Sequence, residues 1–283
     1  MNNKRSILIS GASTGIGREC ALLLDKQGFK VFAGVRKTSD FEALTLSGNR
    51  NIQPVILDVC KDKDVRSVIK LVSEDKTYRF FGLINNAGLG ISGLVEVMPF
   101  EEFKKLFEVN LFGVHRLTRA FLPMIRKNEG RIINIGSSSS FFSGPALGPY
   151  AATKFALRAY TDALRMEMKF FNVFVSLVAP GPVESAIWDK AQVYKEKVRK
   201  NTDPELLEVY NTFLKAGDKL LDKVELIPAM HVANAVLHGL IARKPKYVYL
   251  VGKNAKMAHF ISKIPQKWSD YLFLSRWQKI VDS

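Results

Sequence analysis

Short apolar runs alternate along the chain with longer stretches in which apolar residues recur at helical spacing. The runs are residues 7–9, 31–33, 55–57, 83–84, 132–135, 174–178 and 247–250. Because these runs are apolar almost without interruption, they indicate strands that are covered on both faces. The stretches between them, such as Val65, Val68, Ile69 and Val72, predict the covering helices. The pattern predicts an α/β fold with a doubly wound parallel sheet.

Two segments fall outside this alternation. Residues 184–227 are helical in pattern and rich in charge, and they follow the sixth predicted strand, where they are placed to form a substrate lid. The C-terminal extension, residues 253–283, mixes basic residues with Phe260, Ile261, Ile264, Trp268, Tyr271, Leu272, Trp277 and Ile280, with Pro265 as an interruption. This amphipathic pattern predicts packing against the lid or a second subunit, as apolar stripes usually do.

The extension has a second interpretation, which is a peripheral contact with a membrane. Aromatic residues would then lie at the headgroup level and basic ones would meet anionic lipid. The aromatic residues are Trp268, Tyr271 and Trp277, and the basic ones are Lys263, Lys267, Arg276 and Lys279.

The composition limits the remaining function classes. The 283 residues contain no linker that marks a boundary, so we expect one domain over 1–283. The net charge of +15 favours an anionic partner: a phosphorylated cofactor, an acidic carrier protein, anionic lipid or nucleic acid. Zinc-ligand spacing and basic clusters with interleaved aromatics are both missing, so we expect neither a metal site nor nucleic-acid binding.

Cysteine usage and hydropathy bear on the compartment. Cys20 and Cys60 are too few for a disulfide framework, so a reducing interior is expected. No stretch stays apolar for the roughly 20 residues of a membrane span. We expect a cytoplasmic protein, with peripheral membrane contact left open.

A glycine-rich turn directly follows the first predicted strand and leads into a helix. It reads Ser10-Gly11-Ala12-Ser13-Thr14-Gly15-Ile16-Gly17. Such a turn lets backbone N–H groups approach a pyrophosphate, whose charge is favoured at a helix N-terminus. The spacing G-x-x-x-G-x-G departs from the common dinucleotide fingerprint, and the turn alone is also compatible with a plain Gly-rich connection.

The residues after the second predicted strand bear on the choice of cofactor. An acid there would bind the adenosine ribose and repel a 2′-phosphate, whereas an arginine pairs with that phosphate. The turn carries Arg36 and Lys37, which favours NADP(H) over NAD(H), although both can also be plain strand-end charges. Asp58 ends the third strand, where it can accept from the adenine amino group or serve the strand end alone.

Tyr150 and Lys154 are spaced i, i+4 in a stretch with helical periodicity, so they share one helix face. An adjacent ammonium stabilises phenolate, so we expect the pKa of Tyr150 to be lowered and the residue to act as an acid/base. The pair also occurs by chance on surface helices. Ser137 supports the active-site interpretation, because it lies at the end of the fifth strand, where open α/β sheets place their sites. Serines 138–140 compete for that role.

Together these motifs resemble the short-chain dehydrogenase/reductase family from about Lys4 to Gly252. The markers, in order, are Gly11, Gly15, Gly17, Asp58, Asn85-Asn86-Ala87-Gly88, Asn110, Ser137, Tyr150, Lys154 and Pro180-Gly181. The resemblance implies a Rossmann-type fold and a catalytic tetrad of Asn110, Ser137, Tyr150 and Lys154. It also implies that Lys154 binds the nicotinamide ribose and that Asn110 anchors a proton-relay water. Ser10 and Ser185 replace the family's usual threonines and keep the hydroxyl.

The resemblance further implies the cofactor contacts. Residues 86–88 support the sheet and border the adenosine ribose, and the backbone after Pro180, with Val183 and Ser185, holds the nicotinamide carboxamide. Ser13 with Arg36 is similar to the NADP-preferring arrangement of hydroxysteroid-type members. The expected cofactor-binding residues are Gly11, Ser13, Thr14, Gly15, Ile16, Gly17, Arg36, Lys37, Asp58, Val59, Asn86, Ala87, Gly88, Tyr150, Lys154, Pro180, Gly181, Val183 and Ser185.

The C-terminal half bears on the substrate. The chain lacks the Val-Asp-Gly-Gly-like ending of many 3-oxoacyl carrier-protein reductases and is similar instead to the subgroup with retinol and hydroxysteroid dehydrogenases. We therefore expect an NADP(H)-dependent enzyme of lipid metabolism that acts on CH–OH groups of bulky apolar alcohols or carbonyls. The alternatives are a 3-oxoacyl-thioester reductase and a non-catalytic NADP(H)-binding sensor. The resemblance also implies a homodimer or tetramer through helices that begin near Phe100 and Tyr150.

Overall fold

The strands form one parallel sheet in the computed structural model, which describes residues 4–46, 51–221 and 224–281. They are β1 (Arg5–Ser10), β2 (Lys30–Val35), β3 (Ile52–Ile56), β4 (Arg79–Asn85), β5 (Arg131–Ile135), β6 (Phe174–Pro180) and β7 (Val248–Val251). The strand order is β3-β2-β1-β4-β5-β6-β7. The predicted doubly wound parallel sheet is confirmed. The order reverses between β1 and β4, and such a reversal opens a crevice at the carboxyl ends of the strands.

Helices connect the strands and cover both faces. They are α1 (Gly15–Lys26), α2 (Thr38–Leu46), α3 (Asp62–Glu74), α4 (Phe100–Phe107), α5 (Gly113–Lys127), α6 (Gly148–Met168), α7 (Ile187–Asn201), α8 (Pro204–Val209), α9 (Asn211–Leu221), α10 (Ala229–Ile241), α11 (Lys253–Ile261) and α12 (Gln266–Val281). A π-helical turn, Glu108–Phe112, joins α4 to α5. Within the described ranges, none of these helices combines the length and apolar character needed to cross a bilayer.

Two apolar layers lie on opposite faces of the sheet, and β1 shows why its sequence is continuously apolar. Ile7 and Ile9 pack into the layer under α1 and α10, whereas Leu8 packs into the layer under α3, α5 and α6. All three side chains are fully buried. Alternate residues of a strand point to opposite faces, so a strand covered on both sides needs an apolar residue at every position.

A chain of buried polar side chains fixes α5 and α6 against the centre of the sheet. The Asn85 amide nitrogen donates to the hydroxyl of Thr118 (3.1 Å) and to the Asn134 amide oxygen (2.8 Å). The Asn134 amide nitrogen donates to the Thr161 hydroxyl (2.8 Å). Each of these side chains is buried. Because buried polar groups are costly when they lose their partners, this chain of bonds holds β4, β5, α5 and α6 in one arrangement.

The predicted lid and C-terminal extension are both helical and contact each other. The lid contains α7, α8 and α9. Its two ends lie side by side, because Val183 and Ile227 form a parallel β-bridge. In the extension, the Trp277 ring stacks on Phe213 of α9 with ring centroids 4.6 Å apart. The extension therefore packs against the lid, as predicted, but through Trp277. The predicted stripe is wrong for Phe260, Trp268, Tyr271 and Leu272, whose side chains stay exposed. The side chains of Ile280, an apolar residue of the pattern, and of Arg276, a basic residue of the membrane interpretation, lie outside the described residues.

The buried polar chain makes Thr161 a test of the fold. Thr161→Val keeps the side-chain shape but leaves the Asn134 amide nitrogen without its acceptor, so we expect the free energy of unfolding to fall by about 1–3 kcal/mol. Thr212→Val, at an exposed position on α9, is the control and should change it by less than about 0.5 kcal/mol. Urea unfolding of both variants measures the difference, and equal stabilities would remove the proposed role of this chain of bonds.

Candidate active site

The glycine loop lies at the carboxyl edge of the sheet, where β1 turns into α1. Gly11 and Gly15 have φ of 70° and 54°, in the left-handed region that favours glycine. A Cβ on Gly17 would lie 2.2 Å from the Gly11 carbonyl oxygen, so close packing also requires the third glycine. In the described chain no side chain caps α1, and its first turn holds no acid. The free N–H groups of that turn therefore fit a pyrophosphate.

The loop after β4 holds the glycine loop in place. The Ser10 hydroxyl accepts from the N–H groups of Asn86 (3.1 Å) and Ala87 (3.0 Å). The Asn86 amide nitrogen donates to the carbonyl oxygens of Ser10 (3.0 Å) and Gly11 (2.8 Å). The hydroxyl that Ser10 retains in place of threonine thus joins β1 to the end of β4. The Asn86 side chain, expected at the adenosine ribose, here binds the backbone of the glycine loop.

The segment after β6 lies on the other side of the glycine loop. We call the glycine loop and the segments after β4 and β6 that contact it the glycine cradle. A Cβ on Gly15 would lie 2.7 Å from the Cβ of Ser185, so the start of the lid segment abuts the glycine loop. The Gly181 N–H donates to Val251 O of β7 (2.9 Å), which fixes the backbone after Pro180. The structure thus brings Gly15 and Ser185, which are 170 positions apart in sequence, to one place. Because the glycines have no Cβ, the backbone of the glycine cradle can approach a ligand closely, which fits the pyrophosphate of a dinucleotide.

The residues expected at the adenosine lie at the ends of β2 and β3. Arg36 and Lys37 are exposed, with room to meet an anion from solvent. One carboxylate oxygen of Asp58 accepts from the N–H of Cys60 (3.0 Å), so part of its hydrogen-bonding capacity serves its own turn. Val59 is buried beside it.

Sequence reasoning missed two charged residues that lie beside Ser13 of the glycine loop. Arg18 and Asp40 line a cavity of about 80 Å³ between α1 and α2, together with Ser13. The position of Arg18 directly after Gly17, in the first turn of α1, was the signal that could have identified it. The Arg18 guanidinium would attract a phosphate group in this cavity, and the Asp40 carboxylate would repel one.

The four tetrad residues converge from β5, α6 and the π-helical turn. Lys154 is 6% exposed, and its ammonium donates to the Ile135 carbonyl oxygen (3.0 Å) and lies 5.7 Å from the Tyr150 ring centroid. A Cβ on Gly88 would lie 3.3 Å from the Asn110 amide oxygen and 3.9 Å from the Lys154 ammonium. These contacts place Asn110, Gly88 and Lys154 side by side.

The side chain of Asn110 is fully engaged with neighbouring groups. Its oxygen accepts from Leu89 N–H (2.8 Å), and its nitrogen donates to Leu89 O (3.0 Å) and to the Thr153 hydroxyl (3.1 Å). The amide therefore clamps the loop after β4 to α6. This clamping role was absent from the sequence prediction, which gave Asn110 a proton-relay water.

The hydrogen bonds distinguish Ser137 from the serines that follow it. Ser137 forms a side-chain hydrogen bond with Tyr150. Both serines cap the short turn that follows β5: the Ser137 hydroxyl accepts from the Ser139 N–H (3.1 Å), and the Ser140 hydroxyl, which is buried, accepts from the Ser137 N–H (3.2 Å). The structure therefore brings Ser137, and not Ser140, against the tyrosine.

The local environment corrects the predicted titration of the pair. Burial raises the pKa of Tyr150, and the hydrogen bond from Ser137 opposes this only in part. Burial also lowers the pKa of Lys154 to about 8. The expected lowering of the Tyr150 pKa is thus wrong for the chain alone, because removal from water disfavours both charged forms and outweighs the effect of their proximity.

The lid crosses the carboxyl edge and touches the loop that follows β4. The Tyr194 hydroxyl contacts the Met98 sulfur (3.6 Å), and the Tyr210 hydroxyl donates to Glu96 (2.5 Å). Within the lid, Asp218 of α9 pairs with Lys195 and Arg199 of α7. Ion pairs thus hold α7 and α9 of the lid together. The sequence pattern did not predict the contacts of the lid with the loop after β4.

The lowered pKa of Lys154 gives a stability prediction. The folded chain loses this proton near pH 8, whereas the unfolded chain keeps it towards the ordinary value of 10.5, so the cost of the buried charge is full below pH 8 and disappears between about pH 8 and 10.5. Raising the pH from 7 to about 10.5 should therefore stabilise the wild type relative to Lys154→Met by about 1–3 kcal/mol, whatever constant amount the variant loses with the hydrogen bond to the Ile135 carbonyl.

The control for this prediction is Lys63→Met, at an exposed position on α3, which should show no such pH dependence. Chemical unfolding of the three proteins at pH 7, 9 and 10 makes the comparison. A difference between wild type and Lys154→Met that stays constant with pH would contradict the burial argument.

The chain is similar to many known proteins over almost its whole length. Residues 5–195 match the family model described as short chain dehydrogenase. A probable short-chain type dehydrogenase/reductase of Helicobacter pylori is 36% identical and covers 94% of this chain and 95% of its own. A 3-amino-tetrahydro-pyrrolizinone reductase of Xenorhabdus hominickii is 34% identical (92% and 91%), and a 17-beta-hydroxysteroid dehydrogenase type 6 of Bos taurus is 31% identical (96% and 89%).

Solved structures share the fold. A short-chain dehydrogenase from Streptomyces avermitilis superimposes with a TM-score of 0.78 at 25% identity, covering 99% of this chain and 98% of its own. One from Burkholderia cenocepacia, in complex with NADP, has a TM-score of 0.73 at 23% identity (97% and 99%). One from Burkholderia phymatum, in complex with NAD, has a TM-score of 0.73 at 24% identity (87% and 89%). With its parallel sheet, glycine cradle and Ser-Tyr-Lys cluster, the chain belongs to the short-chain dehydrogenase/reductase family of oxidoreductases.

Proposed function

We propose that this chain is an NADP(H)-dependent oxidoreductase that interconverts a secondary alcohol and ketone, or a primary alcohol and aldehyde, of a bulky apolar substrate. The observation that carries the proposal is the hydrogen bond between Ser137 and Tyr150 beside the buried Lys154, next to the glycine cradle. This places a proton donor, a hydroxyl and a cation together at the carboxyl edge of the sheet.

Each tetrad residue has a role in this proposal. Tyr150 donates its proton to the substrate oxygen during reduction and accepts it during oxidation, and the Ser137 hydroxyl holds the same oxygen. The raised pKa of Tyr150 keeps the phenol protonated near neutrality, which suits the donor role. Lys154 would hold the nicotinamide ribose, and Asn110 fastens the loop after β4 to α6 beside it. The nicotinamide supplies or accepts the hydride.

The proton-donor role predicts the effect of Tyr150→Phe. This variant should lose NADPH-dependent reduction by about 100-fold or more, because general acid catalysis is removed, and it should keep its NADPH affinity because the glycine cradle is intact. Tyr160→Phe, on the same helix, is the control and should keep its turnover. Assays of NADPH oxidation and of cofactor binding test both points, and substantial turnover by Tyr150→Phe would remove the assignment.

The same assay separates the alternatives when the wild type is given a panel of carbonyl compounds. Reduction of bulky ketones or aldehydes supports the proposal. Reduction confined to acyl thioesters favours a 3-oxoacyl-thioester reductase. NADPH binding without turnover of any compound favours a non-catalytic sensor.

The proposed preference for NADP(H) rests on positively charged side chains near the end of β2 and the start of α1, where the adenosine of the cofactor would lie. Arg36 and Lys37 are exposed after β2, and Arg18 lines the cavity beside Ser13. Guanidinium groups form bidentate hydrogen bonds with phosphate. The positive charges of Arg18, Arg36 and Lys37 should therefore attract the 2′-phosphate more strongly than the Asp40 carboxylate repels it.

Replacement of one cation tests the cofactor preference. Arg36→Asp should weaken NADPH binding by about tenfold or more and move the preference towards NADH, because it removes a charge-assisted hydrogen bond and adds repulsion. Arg66→Asp, at an exposed position on α3, makes the same charge change away from the site and is the control. Dissociation constants for both cofactors give the answer, and a wild type that already prefers NADH would contradict the proposal.

The substrate class, assembly and location complete the proposal. The partly buried aromatic residues of the lid and the similarity to a hydroxysteroid dehydrogenase support an apolar substrate and a role in lipid metabolism. Exposed Phe100 (71%) on α4 and Phe155 (41%) on α6 support pairing of two copies, as a dimer or tetramer, through these two helices. Both cysteines are free, which supports a cytoplasmic location. A single parallel sheet supports one domain over 1–283.

A further inference from the structure

Helix α12 carries apolar side chains on two opposite faces. The inner face holds Phe273 and Trp277, whose rings stack with centroids 5.8 Å apart. The outer face holds Trp268, Tyr271 and Leu272, which are 64%, 67% and 55% exposed. The spacing i, i+3, i+4 places these three residues together on the helix surface. Packing on the lid explains the inner face and leaves the outer face unexplained.

The neighbouring helix adds to the same exposed apolar character. Met257 and Phe260 on α11 are 48% and 65% exposed and lie three residues apart, on one face. Large apolar side chains that are exposed singly are common, but contiguous ones mark an interaction surface. We call Trp268, Tyr271 and Leu272 the outer face of the extension.

Positive charge accompanies this outer face. The exposed lysines of α11, α12 and the turn between them are Lys253, Lys256, Lys263, Lys267 and Lys279, against one exposed acid, Asp270. Among the described residues, no carboxylate lies within 4.0 Å of the last four of these ammonium groups. The segment therefore combines aromatic side chains with four lysines that have no carboxylate within 4.0 Å in the part of the chain that the structure describes.

We propose that the outer face of the extension binds the surface of an anionic lipid membrane. Trp and Tyr have an apolar body and a polar tip, which suits the boundary between headgroups and acyl chains, and the lysines meet the anionic headgroups. A second copy of this face is a poorer partner, because two lysine-rich surfaces would repel each other. Charge complementarity therefore selects the lipid.

The inner face of the same helix links this contact to the active site. Trp277 stacks on Phe213 of the lid, so a membrane bound by the outer face lies next to the lid. The inference rests on the proposed function and deepens it, because binding through α12 would bring the enzyme to a substrate dissolved in the membrane. Lipid binding is nevertheless independent of turnover and can be measured without it.

Co-sedimentation of the full chain with vesicles tests the proposal. Vesicles of phosphatidylcholine alone and with phosphatidylserine are compared at low and high salt. We expect binding to the anionic vesicles at low salt, weaker binding at high salt and weak binding to phosphatidylcholine alone, because salt screens the lysines. The triple variant Trp268→Ser/Tyr271→Ser/Leu272→Ser should bind at least about tenfold more weakly, because it removes most of the inserted apolar area.

A matched triple variant controls for the loss of exposed apolar groups in general. Leu46→Ser/Val209→Ser/Phe170→Ser changes three residues that are 85%, 77% and 88% exposed elsewhere on the surface, and it should bind vesicles like the wild type. Circular dichroism and NADPH binding show that both variants fold, whether or not any carbonyl compound is turned over.

Three outcomes would overturn the proposal. The wild type could stay in the supernatant with anionic vesicles at low salt, or the outer-face variant could bind as well as the wild type. The outer-face variant could also lower the oligomeric mass in solution without vesicles, which would show that a second copy covers this face.

Discussion

The position of α6 against the carboxyl end of β5 is the constraint on which the site depends. Ser137 lies just beyond β5 and Tyr150 lies in the first turns of α6, so their contact requires the strand and the helix to be fixed relative to each other. Two buried hydrogen bonds do this: Asn134 to Thr161 within the layer, and Lys154 to the Ile135 carbonyl at the edge. Since an unpartnered buried ammonium or amide is costly, a shift of α6 is penalised at both points.

The same edge joins the cofactor cradle to the catalytic groups. Ser10 and Asn86 bind the ends of β1 and β4 together, and Asn110 fastens the following loop to α6. The loop after β4 therefore contacts both the glycine cradle and the catalytic residues, and its Gly88 lies beside Asn110 and Lys154. Parallel topology makes this possible, because it brings the carboxyl ends of consecutive strands to one edge. A displacement of this loop would affect dinucleotide binding and the lysine at once.

Much of this arrangement could be predicted from the sequence, and the rest depended on tertiary contacts. Continuous apolar runs identified the seven strands, because a strand covered on both faces leaves a strong local pattern. The i, i+4 spacing of Tyr150 and Lys154 predicted proximity but not their burial, and burial decides the direction of both pKa shifts. The partners of Asn134 and the cavity beside Arg18 are formed by residues distant in sequence. Periodicity likewise showed that the extension was amphipathic but not which face would pack.

The lid is attached more firmly on one side than on the other, and this determines how the cleft can open. On one side it is held by the aromatic stack of Phe213 on Trp277, whose side chain is 8% exposed. On the other side it is held by the exposed hydrogen bond from Tyr210 to Glu96 and the sulfur contact of Tyr194. A buried aromatic contact resists separation more than an exposed hydrogen bond, which water readily replaces. We therefore infer that the lid separates from the loop after β4 while α9 stays on α12, so the mouth opens on the side away from the extension.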